Sequence, residues 1–321
     1  MEHISLDLKD KKILYQLDVN ARQSNAQIAK KVGLSKEVVN YRIKRLEKEG
    51  FIQGYHAIIN FWKLGYQTIR VYLKLIDASS SDRQNLIDYL IKNHSVLFIL
   101  KTEREFDIGF GVIVKNLLSF ELFFKEIEEK FKQFIIKKHI SIYTHIFHFH
   151  RAYFLSKEKD DSDSIVIDEE PSISYDDKDI SILKLVANNA RMSLLEIAQK
   201  LSMAPRTIAY RIRQMEKKKI ITAYRAILDI TKISFESYKV DVILKNFKEL
   251  KDIISYCHSN PNIIFIVQTI GGADLEFGVE VSNKEKLNVL LEEMRKKFDG
   301  IRTIDYSNVV GYEKYTYFLQ K

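Results

Sequence analysis

Residues 4–60, ISLDLKDKKILYQLDVNARQSNAQIAKKVGLSKEVVNYRIKRLEKEGFIQGYHAIIN, return at residues 173–229 as ISYDDKDISILKLVANNARMSLLEIAQKLSMAPRTIAYRIRQMEKKKIITAYRAILD. The two stretches align without a gap and share about 23 identities, including Asp10/Asp179, Asn20-Ala21-Arg22/Asn189-Ala190-Arg191 and Tyr41-Arg42-Ile43/Tyr210-Arg211-Ile212. A repeat offset by half of a 321-residue chain is too long for a solenoid. It marks the duplication of a two-part module. Downstream the copies drift, but Phe110-Gly111-Val112 still pairs with Phe277-Gly278-Val279, and Phe120, Phe124, Ile127 and Phe131 pair with Leu287, Leu291, Met294 and Phe298. The apolar period and the turn positions survive, which preserves a fold while surfaces diverge.

Each 57-residue unit reads as three short helices. Ile13, Leu14 and Leu17 form one face of the first, matched by Ile182, Leu183 and Val186. Ser24-Asn25-Ala26-Gln27 and Ser193-Leu194-Leu195-Glu196 both fit a capping box that opens the second helix. A tight turn follows at Val32-Gly33-Leu34, where glycine suits the left-handed end of a helix; its counterpart Leu201-Ser202-Met203 lacks that glycine. The third helix starts at Ser35 as N-cap in copy one and at Pro205 as first helical residue in copy two. Helix, short turn and helix with these caps make a helix-turn-helix.

The third helix indicates the use of that motif. Val39, Ile43 and Leu46 share a face and must be buried, which leaves Lys36, Glu37, Asn40, Tyr41 and Lys44 outward, with Arg42 beside them. In copy two the core row is Ile208, Ile212 and Met215, and the outer surface carries Pro205, Arg206, Thr207, Ala209, Tyr210, Arg211 and Arg213. Arg, Lys, Asn and Glu can read base edges in the major groove, and an exposed N-terminal helix face is where a recognition helix presents them.

These residues resemble the Lrp/AsnC (leucine-responsive regulator) family of bacterial and archaeal transcription factors. The resemblance rests on Leu6-Asp7-Leu8-Lys9-Asp10-Lys11-Lys12-Ile13-Leu14, Asn20-Ala21-Arg22, Ile28 to Ser35, Arg42 to Glu47 and Gly50-Phe51-Ile52. Copy two departs from it at Ser202, Ala204 and Lys219, which stand where copy one has Gly33, Ser35 and Gly50.

After each helix-turn-helix comes a short extended link, residues 55–59 and 224–228, followed by strand, helix, strand, strand, helix and strand. The first half gives elements at 68–75, 81–93, 96–101, 107–114, 117–134 and 139–149; the second at 238–244, 248–259, 263–269, 274–281, 284–298 and 301–310. This order predicts a ferredoxin-like βαββαβ sandwich with both helices on one sheet face. The expected fold class is α+β, with two all-α winged helix-turn-helix domains (1–60 and 173–229) and two ferredoxin-like domains (61–156 and 230–321) in tandem.

In the resembled family the sandwich domain dimerises and binds amino acids or related small molecules. The resemblance places an effector pocket at a glycine-containing turn followed by Asp, here Gly271, Gly272 and Asp274 in copy two and Asp107 alone in copy one. An ordinary hairpin turn accounts for the same residues. No resident cofactor is implied. Thr144 to His150 holds three histidines, but on a strand only His148 and His150 share a face, so no metal site is expected.

Residues 157–172 carry seven acids against two lysines and read as a flexible, self-repelling linker. Its reach of ~20–25 Å would let the two sandwich domains pair within one chain. Residues 1–60 hold 11 basic against 7 acidic side chains and residues 173–229 hold 11 against 6, so both repeated modules are basic, as a phosphate-contacting surface requires. One cysteine, Cys257, excludes an internal disulfide and a Cys-rich zinc site. With no signal segment and no membrane-length apolar run, a cytoplasmic location is expected.

The sequence thus predicts a regulator that binds double-stranded DNA as a covalent pseudo-dimer, with further homo-oligomers expected from the family. Two other classes compete: a chromatin-like protein that coats DNA, and an enzyme, because siroheme decarboxylases resemble the same two-domain plan. The latter would need a His-bearing cleft with a paired acid and base, and the sequence offers no such pair.

Overall fold

The computed structural model describes residues 6–155, 164–168 and 171–315. The first half runs α1 (Leu8–Val19), α2 (Asn25–Val32), α3 (Lys36–Lys48), β1 (Ile52–Ile59), β2 (Gln67–Leu75), α4 (Ser80–Lys92), β3 (Val96–Glu103), β4 (Ile108–Val114), α5 (Leu117–Phe131) and β5 (Ile135–Phe149). A short strand, β6 (Ser164–Asp168), follows. The second half repeats the order as α6 (Asp177–Asn188), α7 (Leu194–Leu201), α8 (Pro205–Lys217), β7 (Ile221–Leu228), β8 (Glu236–Leu244), α9 (Leu250–Ser259), β9 (Ile263–Ile270), β10 (Leu275–Val281), α10 (Lys284–Lys297) and β11 (Ile301–Tyr315).

Each half contributes four strands in the ferredoxin-like order, β5-β2-β4-β3 and β11-β8-β10-β9. The halves join at both edges. β5 pairs with β9 and β11 pairs with β3, so the eight strands close on themselves as a barrel. Period-2 alternation divides each strand. Ile69, Val71 and Leu73 pack with Phe110, Val112 and Phe124 beneath the first half's helices, and Val240, Val242 and Phe277 do the same in the second. The intervening side chains face the barrel interior, where buried Arg70 pairs with buried Glu276, and the Lys239 ammonium lies 3.2 Å from the same carboxylate. Closure is tight at the paired motif noted above. A Cβ on Gly111 would lie 2.2 Å from the Phe98 ring and one on Gly278 2.2 Å from the Phe265 ring.

β1 and β7 form a separate antiparallel ribbon that links the two helix-turn-helix domains, with Tyr55 opposite Ala226 and Ala57 opposite Tyr224. The domains are therefore interlocked: the Ala21 amide donates to the Tyr224 carbonyl at 2.8 Å and the Ala190 amide to the Tyr55 carbonyl at 3.0 Å.

Three expectations change. β5 begins four residues earlier than expected, at Ile135, where it pairs with β2, and β11 is 15 residues long because it leaves its own sheet and continues along β3 of the other half. Residues 311–315 are strand by that pairing, which periodicity within one domain does not reveal. The linker is also not flexible throughout. Residues 164–168 form β6, antiparallel to β5 with Ile146 opposite Ile167 and His148 opposite Ile165. Ile165, Val166 and Ile167 are β-branched, and Ile167 is buried against Ile58, Trp62, Tyr143 and Val267. Local apolar burial there outweighs the charge of the surrounding acids.

Candidate nucleic-acid interface

The caps read from the sequence are formed. Ser24 accepts from the Gln27 amide while the Gln27 side chain accepts from the Ser24 amide, and Ser193 and Glu196 repeat this at α7. Ser35 accepts from the Val38 amide at 3.2 Å to open α3. α8 has no side-chain cap and starts on Pro205 instead. Ser202 takes the left-handed conformation of Gly33, φ 52° against 65°, so the turn geometry survives the loss of glycine at a cost in backbone strain.

With Val39, Ile43 and Leu46 buried, Lys36, Glu37, Asn40, Tyr41 and Lys44 are exposed together on α3. On α8, burial of Ile208, Ile212 and Met215 leaves Arg206, Thr207, Tyr210 and Arg213 exposed. Tyr41 and Tyr210 are large side chains left 66% and 62% open, one on each outer face. Two predicted contacts are engaged elsewhere. Arg42 is held by Asp7 at 2.7 Å and by Asp10 at 2.8 Å, and Arg211 by Asp176 at 2.9 Å and Asp179 at 2.8 Å. These arginines tie the third helix to the first in each unit. Asp10 is nearly fully buried and also accepts from Arg45 at 2.6 Å, so its triad is the more rigid of the two.

The two recognition helices are fixed relative to one another by crossed contacts. Arg22 donates to the Ala190 carbonyl at 2.7 Å and its guanidinium lies over the Tyr224 ring; Arg191 donates to the Ala21 carbonyl at 2.8 Å and lies over the Tyr55 ring. Those are the arginines of the repeated Asn-Ala-Arg run. Its persistence in both copies is thus a matter of assembly.

A second lock exists in one copy only. Asp18 of α1 is fully buried; Arg225 of β7 clasps it at 2.6 and 2.8 Å, and Arg151 donates to it at 2.8 Å. Arg151 in turn holds Glu280 at 2.8 and 3.0 Å. Burial works to raise the Asp18 carboxyl, but Arg225 and Arg151 outweigh it and hold it well below the ordinary value. Copy two has Ala187 where copy one has Asp18, and copy one has His56 where copy two has Arg225. Sequence reasoning missed this network. The signal was present as charged residues that occur in only one copy.

The turn residues assigned to an effector pocket serve the backbone. Asp274 accepts from the Leu244 amide and Asp107 from the Leu75 amide, both at 2.7 Å, while Gly271 supplies φ 85°. A Cβ on Gly272 would meet the Thr269 hydroxyl at 2.6 Å. Both carboxylates close the hairpin onto the end of the neighbouring strand. Among the described residues no group of three or more His, Cys, Asp or Glu could hold a metal ion, and no helix is long and apolar enough to cross a membrane.

A family of winged helix-turn-helix DNA-binding domains matches residues 6–53 and again residues 175–222. An uncharacterized HTH-type transcriptional regulator of Pyrococcus furiosus is 30% identical over 128 residues, which cover 40% of this chain and 83% of that protein. The HTH-type transcriptional regulator Ptr1 of Methanocaldococcus jannaschii is 32% identical over 121 residues, 38% of this chain and 80% of its own. The regulator LrpA of Pyrococcus horikoshii is 44% identical over 66 residues, 21% of this chain and 47% of its own. Among solved structures, the siroheme decarboxylase NirDL superposes with a TM-score of 0.63 over 97% of this chain and 94% of that one, at 12% identity, and so shares the fold. The first two relatives match less than half of this chain and about four-fifths of their own length. The chain therefore belongs to the Lrp/AsnC family of helix-turn-helix transcriptional regulators and carries two of its units in tandem.

Proposed function

We propose that this DNA-binding regulator reads two unlike half-sites, one with α3 and one with α8. The observation that carries the reading is the divergence of the two outer faces on a fixed frame. Glu37 and Asn40, suited to cytosine N4 and adenine edges, stand in copy one; Arg206 and Ala209, suited to guanine and the thymine methyl, stand in copy two. The β1–β7 ribbon and the crossed arginines hold both on one rigid body. A dimer of identical units reads a palindrome, whereas this chain presents two readers at one separation.

Selection of bound sequences from a random duplex pool tests the reading. Two different half-sites about one helical turn, or a multiple, apart are expected. Perfect palindromes would overturn it, and loss of the footprint against competitor DNA would indicate a coating protein. Binding should also weaken steeply with salt, at a slope of roughly −0.9 in log K per neutralised phosphate.

We read the chain as a regulator rather than as an enzyme on the shared fold. The carboxylates beside His56 and His148, Asp18 and Glu280, are clasped by Arg225 and Arg151, and Glu280 also accepts from Tyr153. A general acid or base needs a carboxyl free to exchange its proton, and Asp18 is held as an ion by its two arginines.

A further inference from the structure

The strand register lets the two halves be compared position by position inside the barrel. Val71 lies opposite Phe110 in the first half and Val240 opposite Phe277 in the second, so Arg70 matches Lys239, Tyr72 matches Asp241 and Gly109 matches Glu276. Phe98 beside Gly111 is repeated as Phe265 beside Gly278. The halves thus keep one ring against a glycine, and they keep a cation on the second strand. They differ at the other two positions. A Cβ on Gly109 would lie 2.4 Å from the Tyr72 ring, so the first half fills this place with an aromatic side chain. The second half sets two carboxylates opposite one another there, Asp241 and Glu276.

The cation of each half is met by the other half. Arg70 pairs with Glu276, both of them buried. The Lys239 ammonium lies 4.4 Å from the centre of the Tyr72 ring, 3.2 Å from the Glu276 carboxylate and 2.6 Å from Asp241. Burial pushes Lys239 down to about 8, which leaves it largely charged at neutral pH. Two cations therefore converge on two carboxylates, and the formal charge at these positions cancels. Pairing like halves would keep the two cations and change only the carboxylates. Two first halves would bring Arg70 twice with none, because Tyr72 and Gly109 stand at the matched positions, for a formal charge of +2. Two second halves would bring Lys239 twice with Asp241 and Glu276 from each, four carboxylates against two cations, for a formal charge of −2. Uncompensated charge in a buried interior is strongly unfavourable.

We propose that Arg70, Lys239, Asp241 and Glu276 select the partner across the barrel: a first half closes only on a second half, and a second copy of the same half is refused. The edge pairings β5–β9 and β11–β3 supply attraction without discrimination, because main-chain hydrogen bonds are blind to side-chain identity. A buried ion pair adds little net stability over apolar packing, but it penalises the wrong partner, and specificity is a difference between partners. The selection keeps α3 beside α8 and excludes two copies of either on one barrel. It concerns which halves meet, and it stands apart from which bases the two helices read.

Two full-length variants test this. Glu276→Arg gives both halves a formal charge of +1 at these positions, and Arg70→Glu gives both −1. Alone, each variant should lose on the order of 10³-fold in the ratio of folded to unfolded chain, read by urea unfolding. Refolded together from urea in equal amounts, they should rescue one another, because a positive half of one chain then meets a negative half of the other. A tag on Glu276→Arg should retain untagged Arg70→Glu in a 1:1 ratio, well above what tagged parent chain retains of untagged parent, and the retained complex should unfold near the parent midpoint. The charge-swapped chain Arg70→Glu/Glu276→Arg should close on itself and recover most of the parent stability, which decides the matter even when neither single variant folds. No retention above the parent level on mixing, or a swapped chain as weak as the two single losses added together, overturns the proposal.

Discussion

Arg191 of the second unit donates to the side-chain oxygen of Asn25 in the first at 2.8 Å. Asn25 then donates to the Asn40 side chain at 3.1 Å, so the α3 residue proposed to read a base is oriented from the other copy. The chain of bonds is one-sided. Leu194 and Ala209 stand where copy one has Asn25 and Asn40, and Arg22 reaches only the carbonyls of Ala190 and Met192.

Arg191→Ala should therefore loosen base preference at the half-site read by α3, while Arg22→Ala should leave preference at both half-sites intact. Both variants remove hydrogen bonds from a charged donor and should lower stability by about 1.5–3 kcal/mol each. Sequence selection on each variant, beside urea unfolding, separates the effects. Equal loss of preference in the two variants would show that Arg191 acts through domain assembly alone.

The outer face of α8 sorts into a free and a committed arginine. Arg206 is exposed, whereas Arg211 is held by Asp176 and Asp179. Arg206→Ala should cost ~1–3 kcal/mol of binding and relax preference at one base pair of one half-site. Arg211→Ala should instead lower the unfolding midpoint and weaken all duplexes alike. Fluorescence anisotropy with single-base-substituted duplexes decides; a base-selective loss for Arg211→Ala would place it in the groove.

Asp18 has the costliest single truncation in reach of the DNA-binding unit. Asp18→Ala leaves buried Arg225 without its carboxylate and Arg151 with Glu280 alone, and breaking a buried pair by removing one partner costs about 3–5 kcal/mol. Asp7→Ala, which removes an exposed partner of Arg42 together with the N-cap of α1, should cost about 1–2 kcal/mol. Chemical unfolding of the two variants gives the comparison, and similar midpoints would mean that the Asp18 network is not what fixes α1 on β7.

Features that a short window specifies were legible in the sequence. The capping boxes at Ser24 and Ser193, the buried row Val39, Ile43 and Leu46, and the outer faces of α3 and α8 follow from helical period and cap chemistry, and the structure has them. What depends on distant pairing was not. The tail of β11 is a strand because a neighbour from the other half lies beside it, and Arg42 belongs to Asp10 across 32 residues. Asp107 and Asp274 each accept a main-chain amide, of Leu75 and Leu244, a structural role that a short sequence window did not show. β6 could have been found, since Ile165-Val166-Ile167 is a β-branched run inside an acidic stretch.

Stability should fall as the pH drops below neutrality, and the imidazoles at the barrel mouth set where. Burial, followed by the charge of Arg225, holds His56 well below its ordinary 6.5; the same two causes push His148 down to about 3. Both are then neutral in the folded chain at pH values where an unfolded chain protonates them. Below about 6.5 the unfolded state binds more protons, so stability rises with pH through this window and is lost on acidification. One such histidine contributes about 1.4 kcal/mol per pH unit once the pH is well below 6.5. His56, only 5% exposed, should approach that slope, and His148, half-buried, should fall short of it. Asp18 adds its own loss only below its unfolded value near 3.8, because its folded carboxyl is held lower still. His56→Gln cannot titrate, so its unfolding free energy from pH 6 to pH 4.5 should flatten by one proton's worth relative to the parent chain. Urea unfolding across that range is the measurement, and an unchanged slope would mean that His56 is protonated in the folded state and pairs with Asp18.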